Sequence, residues 1–319
     1  MTAERTPSLP SGYTVRAPRP ADAEAVAEVK RAACAGRRDG EVTADSIRED
    51  WALPRMDLDR DAWVVVAADG AVVASALVFE DLPGSFVRIH HVRPGAEGPA
   101  VDRCLLDLAE ERARDRLAPG PRDGTMTVIA YESERPTLEL YAARGYEHVR
   151  TFLRLAVSLD EAPPAPRVPP GIAVRPFRPG TDERAAYAAV QEAFLDHWEP
   201  TELTFEEWRA VAYDPPTVDL GLWRIAWDGE EVAGVVIASA QTEDGWVDDL
   251  AVRQPWRGRG LGRALLLTAL EALRARGLTR ALLGVDTDNP TGAMGLYSSA
   301  GMTQSGDAHL VLRKRISPR

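Results

Sequence analysis

The chain has 319 residues, enough for two domains of ordinary size, and 45% of them are hydrophobic, which supports packed cores. The formal net charge of −11 argues against broad binding to nucleic acid or to anionic membranes. Two cysteines, Cys34 and Cys104, are too few for a disulfide framework, and the longest apolar run, Ala71–Phe79, is too short to span a bilayer. We therefore expect a soluble, cytoplasmic protein and predict no metal site.

The two halves of the chain repeat one pattern of residues. Gly12–Pro20 matches Gly171–Pro179, and in both halves two strands around an Asp-Gly turn come later. The proline-rich segment 161–170 separates the copies and predicts an extended linker. We expect one domain in residues 1–160 and another in residues 171–319.

Each copy predicts the same order of elements. A strand, Thr14–Arg16 or Ala173–Arg175, precedes one or two helices, a hairpin of antiparallel strands and a fourth strand. A turn and an apolar-faced helix follow, at Val101–Arg116 and Arg263–Arg276, and then a fifth strand, a helix and closing strands. This order indicates an α/β fold of two tandem domains, each a mixed, mostly antiparallel sheet flanked by helices.

The turn after the fourth strand of the second copy is the most informative part of the sequence. The strand ends at Val252, and the turn and helix start contain Arg257, Gly258, Gly260 and Gly262. Glycines allow a sharp turn with exposed N–H groups, and the helix start adds unpaired donors and partial positive charge. The turn therefore predicts a diphosphate site. Two nucleotide-binding motifs are excluded. A Rossmann turn would need a third glycine at the position of Arg263, and a P-loop would need a Gly-Lys-Ser/Thr sequence that this turn lacks.

Together with the segment that follows, this turn resembles the GNAT superfamily of acyl-CoA-dependent N-acetyltransferases. The signature Gln/Arg-x-x-Gly-x-Gly/Ala is present as Arg257, Gly260 and Gly262. A second signature, Asn-x-x-x-Ala-x-x-Leu-Tyr-x-x-x-Gly, is present as Asn289, Ala293, Leu296, Tyr297 and Gly301. The full pattern lies in residues 171–319, and a tandem layout with an eroded first copy is similar to that of the mycothiol synthase family.

The resemblance implies acetyl-CoA as cosubstrate and assigns residues to it. The pantetheine arm would lie along the backbone of Leu250, Ala251 and Val252. The diphosphate would bind the N–H groups of Arg257, Gly258, Arg259, Gly260, Leu261, Gly262 and Arg263. Asn289 would bond the pantetheine or help to keep the strands apart, and Tyr297 would be the general acid toward the leaving thiolate.

The general base does not follow the family pattern. Many relatives have a glutamate at the position of Trp246. Asp248 and Asp249 follow on the same strand, where strict alternation puts Asp248 on the face of Leu250 and Asp249 on the other. A β-bulge, common in this strand of the family, would reverse that order. We predict Asp249 as the base, acting directly or through water. The alternatives are Asp248, two solvated edge charges with no role in the reaction, and an enzyme without a base.

The first copy has lost the pattern of its turn. Glu97, Ala100 and Asp102 stand where the second copy has an arginine and two glycines. A carboxylate about 5 Å from a phosphate charge costs roughly 3 kcal/mol at an effective dielectric near 20. We expect that residues 1–160 do not bind the diphosphate of acyl-CoA in the usual way, and that they support the second domain or form a wall of its substrate cleft.

The acceptor pocket is expected after the first strand of the second copy. Aromatic and acidic residues there suit a cationic amine: Phe194, His197, Trp198, Glu199, Trp208 and Tyr213. For most of them, a helix pair packed on the sheet is the favoured interpretation, and we expect His197 to be a structural surface residue. We predict acetyl or short acyl transfer to a primary amine of a small molecule, by direct attack in a ternary complex, because the motifs contain no cysteine. A non-catalytic acyl-CoA sensor and a protein lysine or N-terminal acetyltransferase are alternatives. The sequence gives no prediction of oligomeric state.

Overall fold

The structure is a computed structural model that describes residues 9–35, 42–52, 56–95, 97–117, 123–200, 202–215, 218–241 and 244–318. Over these residues the chain forms two compact units. Unit 1 comprises Met1–Thr151 and Gly306–Arg319, and unit 2 comprises Phe152–Ser305.

Strands and helices are interspersed along the chain up to residue 143. The strands are β1 (Thr14–Arg16), β2 (Ala62–Val66), β3 (Val72–Leu82), β4 (Ser85–Val92) and β5 (Gly124–Tyr131). The helices are α1 (Ala23–Ala33), α2 (Ala44–Trp51), α3 (Leu58–Asp61), α4 (Gly98–Arg116) and α5 (Arg135–Ala143).

The remaining elements continue the numbering. The strands are β6 (Glu147–Ser158), β7 (Ile172–Pro176), β8 (Arg224–Asp228), β9 (Glu231–Gln241), β10 (Asp244–Val252), β11 (Arg280–Asp286), β12 (Thr303–Gln304) and β13 (His309–Ile316). The helices are α6 (Glu183–Phe194), α7 (Phe205–Trp208), α8 (Leu261–Ala275) and α9 (Ala293–Ser299).

Each unit contains one mixed sheet. In unit 1 the order is β1-β2-β3-β4-β5-β13, and β4 and β5 are the parallel pair. In unit 2 the order is β6-β11-β10-β9-β8-β7, and β10 and β11 are the parallel pair. The mixed, mostly antiparallel α/β fold predicted from the sequence is confirmed. Both Asp-Gly turns join the strands predicted for them, with Gly70 and Gly229 at positive φ.

Strands β6 and β13 give the two compact units boundaries that differ from those of the sequence repeat. Residues Phe152–Ser158 of β6 pair with all seven residues of β11 in unit 2. Strand β13, at the other end of the chain, pairs with β5 in unit 1. The compact units therefore cross the expected limits at residues 160 and 171, because β5 and β11 each obtain a hydrogen-bonding partner from a distant segment. The segment 161–170 has no helix or strand, as a linker requires.

The core of unit 2 lies between its sheet and α8. Leu265, Leu266, Leu270 and Leu273 of this helix are at most 1% exposed. Gly277, at a φ of 83°, follows the helix end. In unit 1, Cys104 is buried at 1% exposure, as a small core residue would be. Within the residues that the structure describes, no helix is long and apolar enough to cross a membrane.

The pairing of β6 with β11 predicts which fragment of the chain folds. A fragment 152–305 retains this pair, whereas a fragment 171–319 loses it and exposes an edge of β11. We expect 152–305 to unfold cooperatively and 171–319 to aggregate or to unfold without a transition. Circular dichroism during heating measures both. A cooperative transition of 171–319 at the same temperature as 152–305 would contradict the role given to β6.

Candidate active site

Strands β10 and β11 are neighbours along only part of their length. Their parallel pairs run from Asp244 with Arg280 to Trp246 with Leu282 and stop there. The register of β10 against β9 shifts between Val247 and Asp249, so a bulge lies at the point where β10 turns away. The opening that results is part of a cavity of about 520 Å3, a size typical of ligand sites.

Backbone groups of β10 line this opening. The N–H of Arg253 donates to the carbonyl of Ala233 at 3.1 Å, which makes Val252 and Gly234 a non-hydrogen-bonded pair. By alternation, the backbone groups of Leu250 and Val252 point away from β9 and into the opening. Those of Ala251 point toward β9, its side chain is buried, and it does not line the cavity. Leu250 and Val252 therefore have the orientation expected for a pantetheine arm, and Ala251 does not.

The glycines of the turn have two different physical roles. Gly258 and Gly260 adopt φ values of 72° and 84°, in the left-handed region that other residues avoid. Gly262 lies inside α8, where a Cβ atom would stand 2.8 Å from Leu296 of α9. The first helical hydrogen bond runs from the N–H of Ala264 to the carbonyl of Gly260. The N–H groups of residues 258–263 therefore have no acceptor within the helix and can donate hydrogen bonds to an anion.

Three arginines of the turn have separate environments. The guanidinium of Arg257 donates to the carbonyls of Val252 and Ala193, at 2.9 and 3.0 Å, and to Asp196 at 2.6 Å. Its own N–H donates to Gln254, so Arg257 braces the turn and its amide is not a free anion donor as the sequence suggested.

Arg263 also braces the site, because its guanidinium bonds Ser299 at the end of α9. The side chain of Arg259 is exposed and does not line the cavity. In this turn, the side chains of Arg257 and Arg263 therefore stabilise the structure, and the backbone N–H groups are the donors available to an anion.

Most of the residues that the sequence assigned to the cosubstrate meet at the cavity. They are Leu250, Val252, Arg257, Gly258, Gly260, Leu261, Gly262, Arg263 and Asn289. The side-chain carbonyl of Asn289 accepts from the N–H of Thr291 at 2.9 Å and from its hydroxyl at 2.5 Å, which fixes the loop between β11 and α9.

Tyr297 also lines the cavity, with a hydroxyl that has no hydrogen-bond partner among the described residues. Burial raises its pKa to about 12. The phenol therefore keeps its proton at neutral pH, as a general acid must.

The two carboxylates of β10 lie in different places. Asp248 lines the cavity and is open to solvent there, whereas Asp249 is half-buried and does not line it. The bulge precedes Asp249, so Asp249 still alternates with Leu250 and the reversal considered from the sequence does not occur. Burial, and then the charge of Asp248, raise the pKa of Asp249 to about 6. Burial on the protein side also raises the pKa of Asp248.

The expected acceptor residues divide into two groups. Phe194 and His197 line the cavity with their ring centroids 4.3 Å apart, and burial lowers the pKa of His197, so its ring is neutral near pH 7. Trp208 is 2% exposed and packs with Tyr213 and Trp223, which makes these aromatics part of the core. Trp198 and Glu199 do not line the cavity.

In unit 1, β4 and β5 part in the same way, after Arg88 pairs with Val128, but side chains fill the gap. Arg88 is fully buried, donates to the hydroxyl of Tyr141 at 2.8 Å and forms an ion pair with Asp102 at 2.5 Å. Burial opposes the charge of Asp102, but His90 and Arg88 hold the pKa of this carboxyl below its usual range. The repulsion of phosphate that we expected from Asp102 is therefore wrong, because its charge is turned inward and neutralised.

The turn of unit 1 is replaced by helix. Helix α4 begins at Gly98, whereas α8 begins at Leu261, the counterpart of Val101. The amides of Ala100 and Val101 already donate to the carbonyl of Glu97. Backbone donors that would face an anion in this turn are thus used inside the helix.

The sequence did not point to several cavity residues, of which Phe152, Gly284 and Asp286 matter most for the acceptor. Phe152 comes from β6, which the repeat assigned to the first copy, and Gly284 lies in β11 outside both signatures. The seven-residue pairing of β6 with β11 brings Phe152 to the cavity, and the sequence contains no local signal for that pairing. In the ranges that the structure describes, no group of three or more His, Cys, Asp or Glu residues could hold a metal ion.

Comparisons with known proteins identify the family to which the chain belongs. Residues 184–302 match the acetyltransferase (GNAT) family. Mycothiol acetyltransferase of Geodermatophilus obscurus is 34% identical over 76% of this chain and 78% of its own length, and that of Thermomonospora curvata is 35% identical over 67% and 69%.

Solved structures extend the agreement to the whole chain. A GCN5-related N-acetyltransferase from Sphaerobacter thermophilus matches 98% of both chains at a TM-score of 0.82 and 35% identity. A tandem GNAT protein from the clavulanic acid biosynthesis pathway matches 96% of this chain and 99% of its own at a TM-score of 0.71 and 19% identity, which shows the fold. The chain therefore belongs to the GNAT family and is an N-acetyltransferase with the tandem architecture.

The raised pKa of Asp249 predicts a stability that depends on pH. A carboxyl whose folded pKa lies near 6, above its unfolded value near 4, destabilises the fold once pH rises through that range. Asp249→Asn should therefore raise the free energy of unfolding by about 3 kcal/mol at pH 8 and by about 1 kcal/mol at pH 4.5. Urea unfolding at both pH values measures this. A variant that is less stable than the wild type at pH 8 would show that the carboxylate is stabilised where it lies.

Proposed function

We propose that unit 2 transfers an acetyl or other short acyl group from coenzyme A to the primary amine of a small molecule. The observation that carries this proposal is the free hydroxyl of Tyr297 in a cavity that also contains the amides of the turn. The cosubstrate would supply the acyl group as a reactive thioester. The amides of residues 258–263 would bind its diphosphate, and the backbone of Leu250 and Val252 would hold its arm.

The residues of the cavity can balance the transfer by direct attack. The nitrogen of the neutral amine bonds to the acyl carbon, and the bond between that carbon and sulfur breaks. Tyr297 donates its proton to the leaving thiolate, and a carboxylate takes a proton from the amine. Return of that proton to Tyr297 through water restores both groups. Backbone N–H groups at the opening would stabilise negative charge on the carbonyl oxygen.

Asp248 is the proton acceptor that the geometry favours over Asp249, the residue chosen from the sequence. Asp248 lines the cavity, and protein on its other sides raises its pKa, which increases its affinity for a proton. Asp249 would need a water to reach the cavity. Trp246, at the position where many relatives have glutamate, has the guanidinium of Arg154 5.7 Å from its ring centroid and supplies no base.

A small amine suits the part of the cavity that is lined by acidic and aromatic side chains. Asp248 and Asp286 attract a cation there, and the rings of Phe194 and His197 provide apolar surface. Two relatives are named mycothiol acetyltransferase, which supports a small-molecule amine in preference to a protein. Location in the cytoplasm stays a prediction from the sequence.

The paired tyrosines provide the test. Tyr297→Phe removes the general acid, and we expect kcat to fall by about tenfold or more with little change in stability. Tyr141→Phe leaves a buried donor of Arg88 without its acceptor, and we expect a loss of about 1–3 kcal/mol in unfolding free energy with kcat unchanged. Thiol release from acetyl-CoA with a panel of primary amines, together with urea unfolding, measures both variants.

The two readouts separate the proposal from its alternatives. An unchanged kcat in Tyr297→Phe removes Tyr297 from the reaction. If acetyl-CoA binds but no amine accelerates thiol release by the wild type, the proposed transfer is wrong. Preference for peptides over free amines would favour a protein acetyltransferase.

A further inference from the structure

Gly284 is an exposed residue inside a buried strand. Its neighbours Leu283 and Val285 are 1% and 4% exposed, whereas Gly284 is open to the cavity of unit 2. A side chain built at Gly284 would meet no atom within 4 Å, and its φ is not in the left-handed region. A strand glycine costs about 0.5–1 kcal/mol relative to alanine. Neither the backbone nor the packing of this protein requires that cost at this position.

At other strand positions of unit 2, close packing explains why the residue is glycine. A Cβ atom at Gly234 would stand 2.6 Å from the carbonyl of Ala251, and one at Gly245 would stand 2.7 Å from Leu273. These positions are filled by the protein itself. The space above Gly284 is different, because no atom of the described residues lies within 4 Å of a Cβ built there. A strand glycine in such a position is typical of a place where a ligand approaches.

The direction of Gly284 distinguishes acceptor from cosubstrate. Gly245 faces Leu273 of α8 and pairs with Ala281, so the odd-numbered residues of β11 face α8. Gly284 therefore faces the opposite side of the sheet from α8, whose first turn holds the proposed diphosphate donors. A cosubstrate that enters beside α8 would reach the opening between β10 and β11 from one face, and Gly284 borders the other.

The walls around Gly284 indicate the chemistry of what lies there. Asp286 shares its face of β11, and Phe152 is the cross-strand partner of Asp286. Asp286 and Phe152 line the cavity, whereas Arg154, the cross-strand partner of Gly284, does not line it and lies over the ring of Trp246.

The N–H of Leu159 donates to the carbonyl of Thr279, so the backbone groups of odd-numbered residues in β11 point toward β6 and those of even-numbered residues point toward β10. The N–H and carbonyl of Gly284 therefore point toward β10, at a level where the pairing of β10 with β11 has ended. The space thus combines a carboxylate, an aromatic ring and backbone polar groups.

We propose that the body of the acceptor amine lies against Gly284 and that this glycine sets the largest acceptor that the enzyme takes. The acceptor class is a primary amine with a ring-sized body and no net negative charge, because Asp286 and Asp248 line the same space. This inference rests on the function proposed above and adds the residue that selects the acceptor.

Two amines that differ by a ring test the inference in the full-length protein. Ethylamine and 2-phenylethylamine carry the same reacting group, and Gly284→Val places a β-branched side chain in the space without straining the strand. We expect Gly284→Val to raise KM for 2-phenylethylamine by about tenfold or more, relative to ethylamine. Gly284→Ala should give a smaller change in the same direction. Binding of acetyl-CoA should be retained in both variants.

Gly295→Ala is the matched control. Gly295 also has no atom within 4 Å of a built side chain and a φ outside the left-handed region, but it lies in α9 outside the cavity lining. It should change neither KM. Equal effects of Gly284→Val on both amines, loss of acetyl-CoA binding, or wild-type turnover of ethylamine alone would overturn the inference and leave the proposed function standing. No turnover with these or any other amines would contradict the proposed function itself.

Discussion

The site depends on the parting of two parallel strands. Strands β10 and β11 pair for only three residues and then separate beside a bulge, which leaves both backbone groups of Leu250 and the N–H of Val252 without a strand partner, while Arg257 binds the carbonyl of Val252. Unpaired backbone groups inside a sheet are costly unless something binds them. In unit 2 they face a cavity of about 520 Å3, and the braced turn before α8 meets the same cavity. One local defect of the sheet thus positions the groups that the reaction needs.

Unit 1 shows how the same defect can be closed. Its strands part at Arg88, and this buried side chain with Asp102 and Tyr141 occupies the gap. A buried ion pair stays only while both partners remain, and removal of one costs about 3–5 kcal/mol. The network of Arg88, Asp102 and Tyr141 therefore stabilises unit 1 with its opening filled. The additional first turn of α4 uses, inside the helix, the N–H groups that could otherwise bind an anion. Tyr141 and Tyr297 occupy equivalent places, but one phenol is a hydrogen-bond acceptor in a core and the other is free in a cavity.

The sequence predicts the fold and the turn because local patterns specify them. Glycines at positive φ, the leucine face of α8 and the Asp-Gly turns all act within a few residues. It does not predict the pairing of β6 with β11, which joins segments far apart in the chain and carries Phe152 into the site. The sequence also led to a wrong prediction that Asp102 repels phosphate, because the residue type gives the charge of a side chain but not its direction. The position of the bulge, one residue before Asp249, likewise required coordinates.

Titration of acetyl-CoA into the full-length protein by calorimetry tests the contrast between the two units most directly. One site per chain is predicted because, among the residues that the structure describes, only those of unit 2 combine an open strand gap with free amides in the turn. Gly260→Asp should abolish binding by straining the left-handed residue and placing a carboxylate at the diphosphate. Its counterpart Ala100→Asp should leave binding unchanged. Two sites per chain, or a loss of binding in Ala100→Asp, would contradict the closed opening of unit 1, and no binding at all would contradict the site in unit 2.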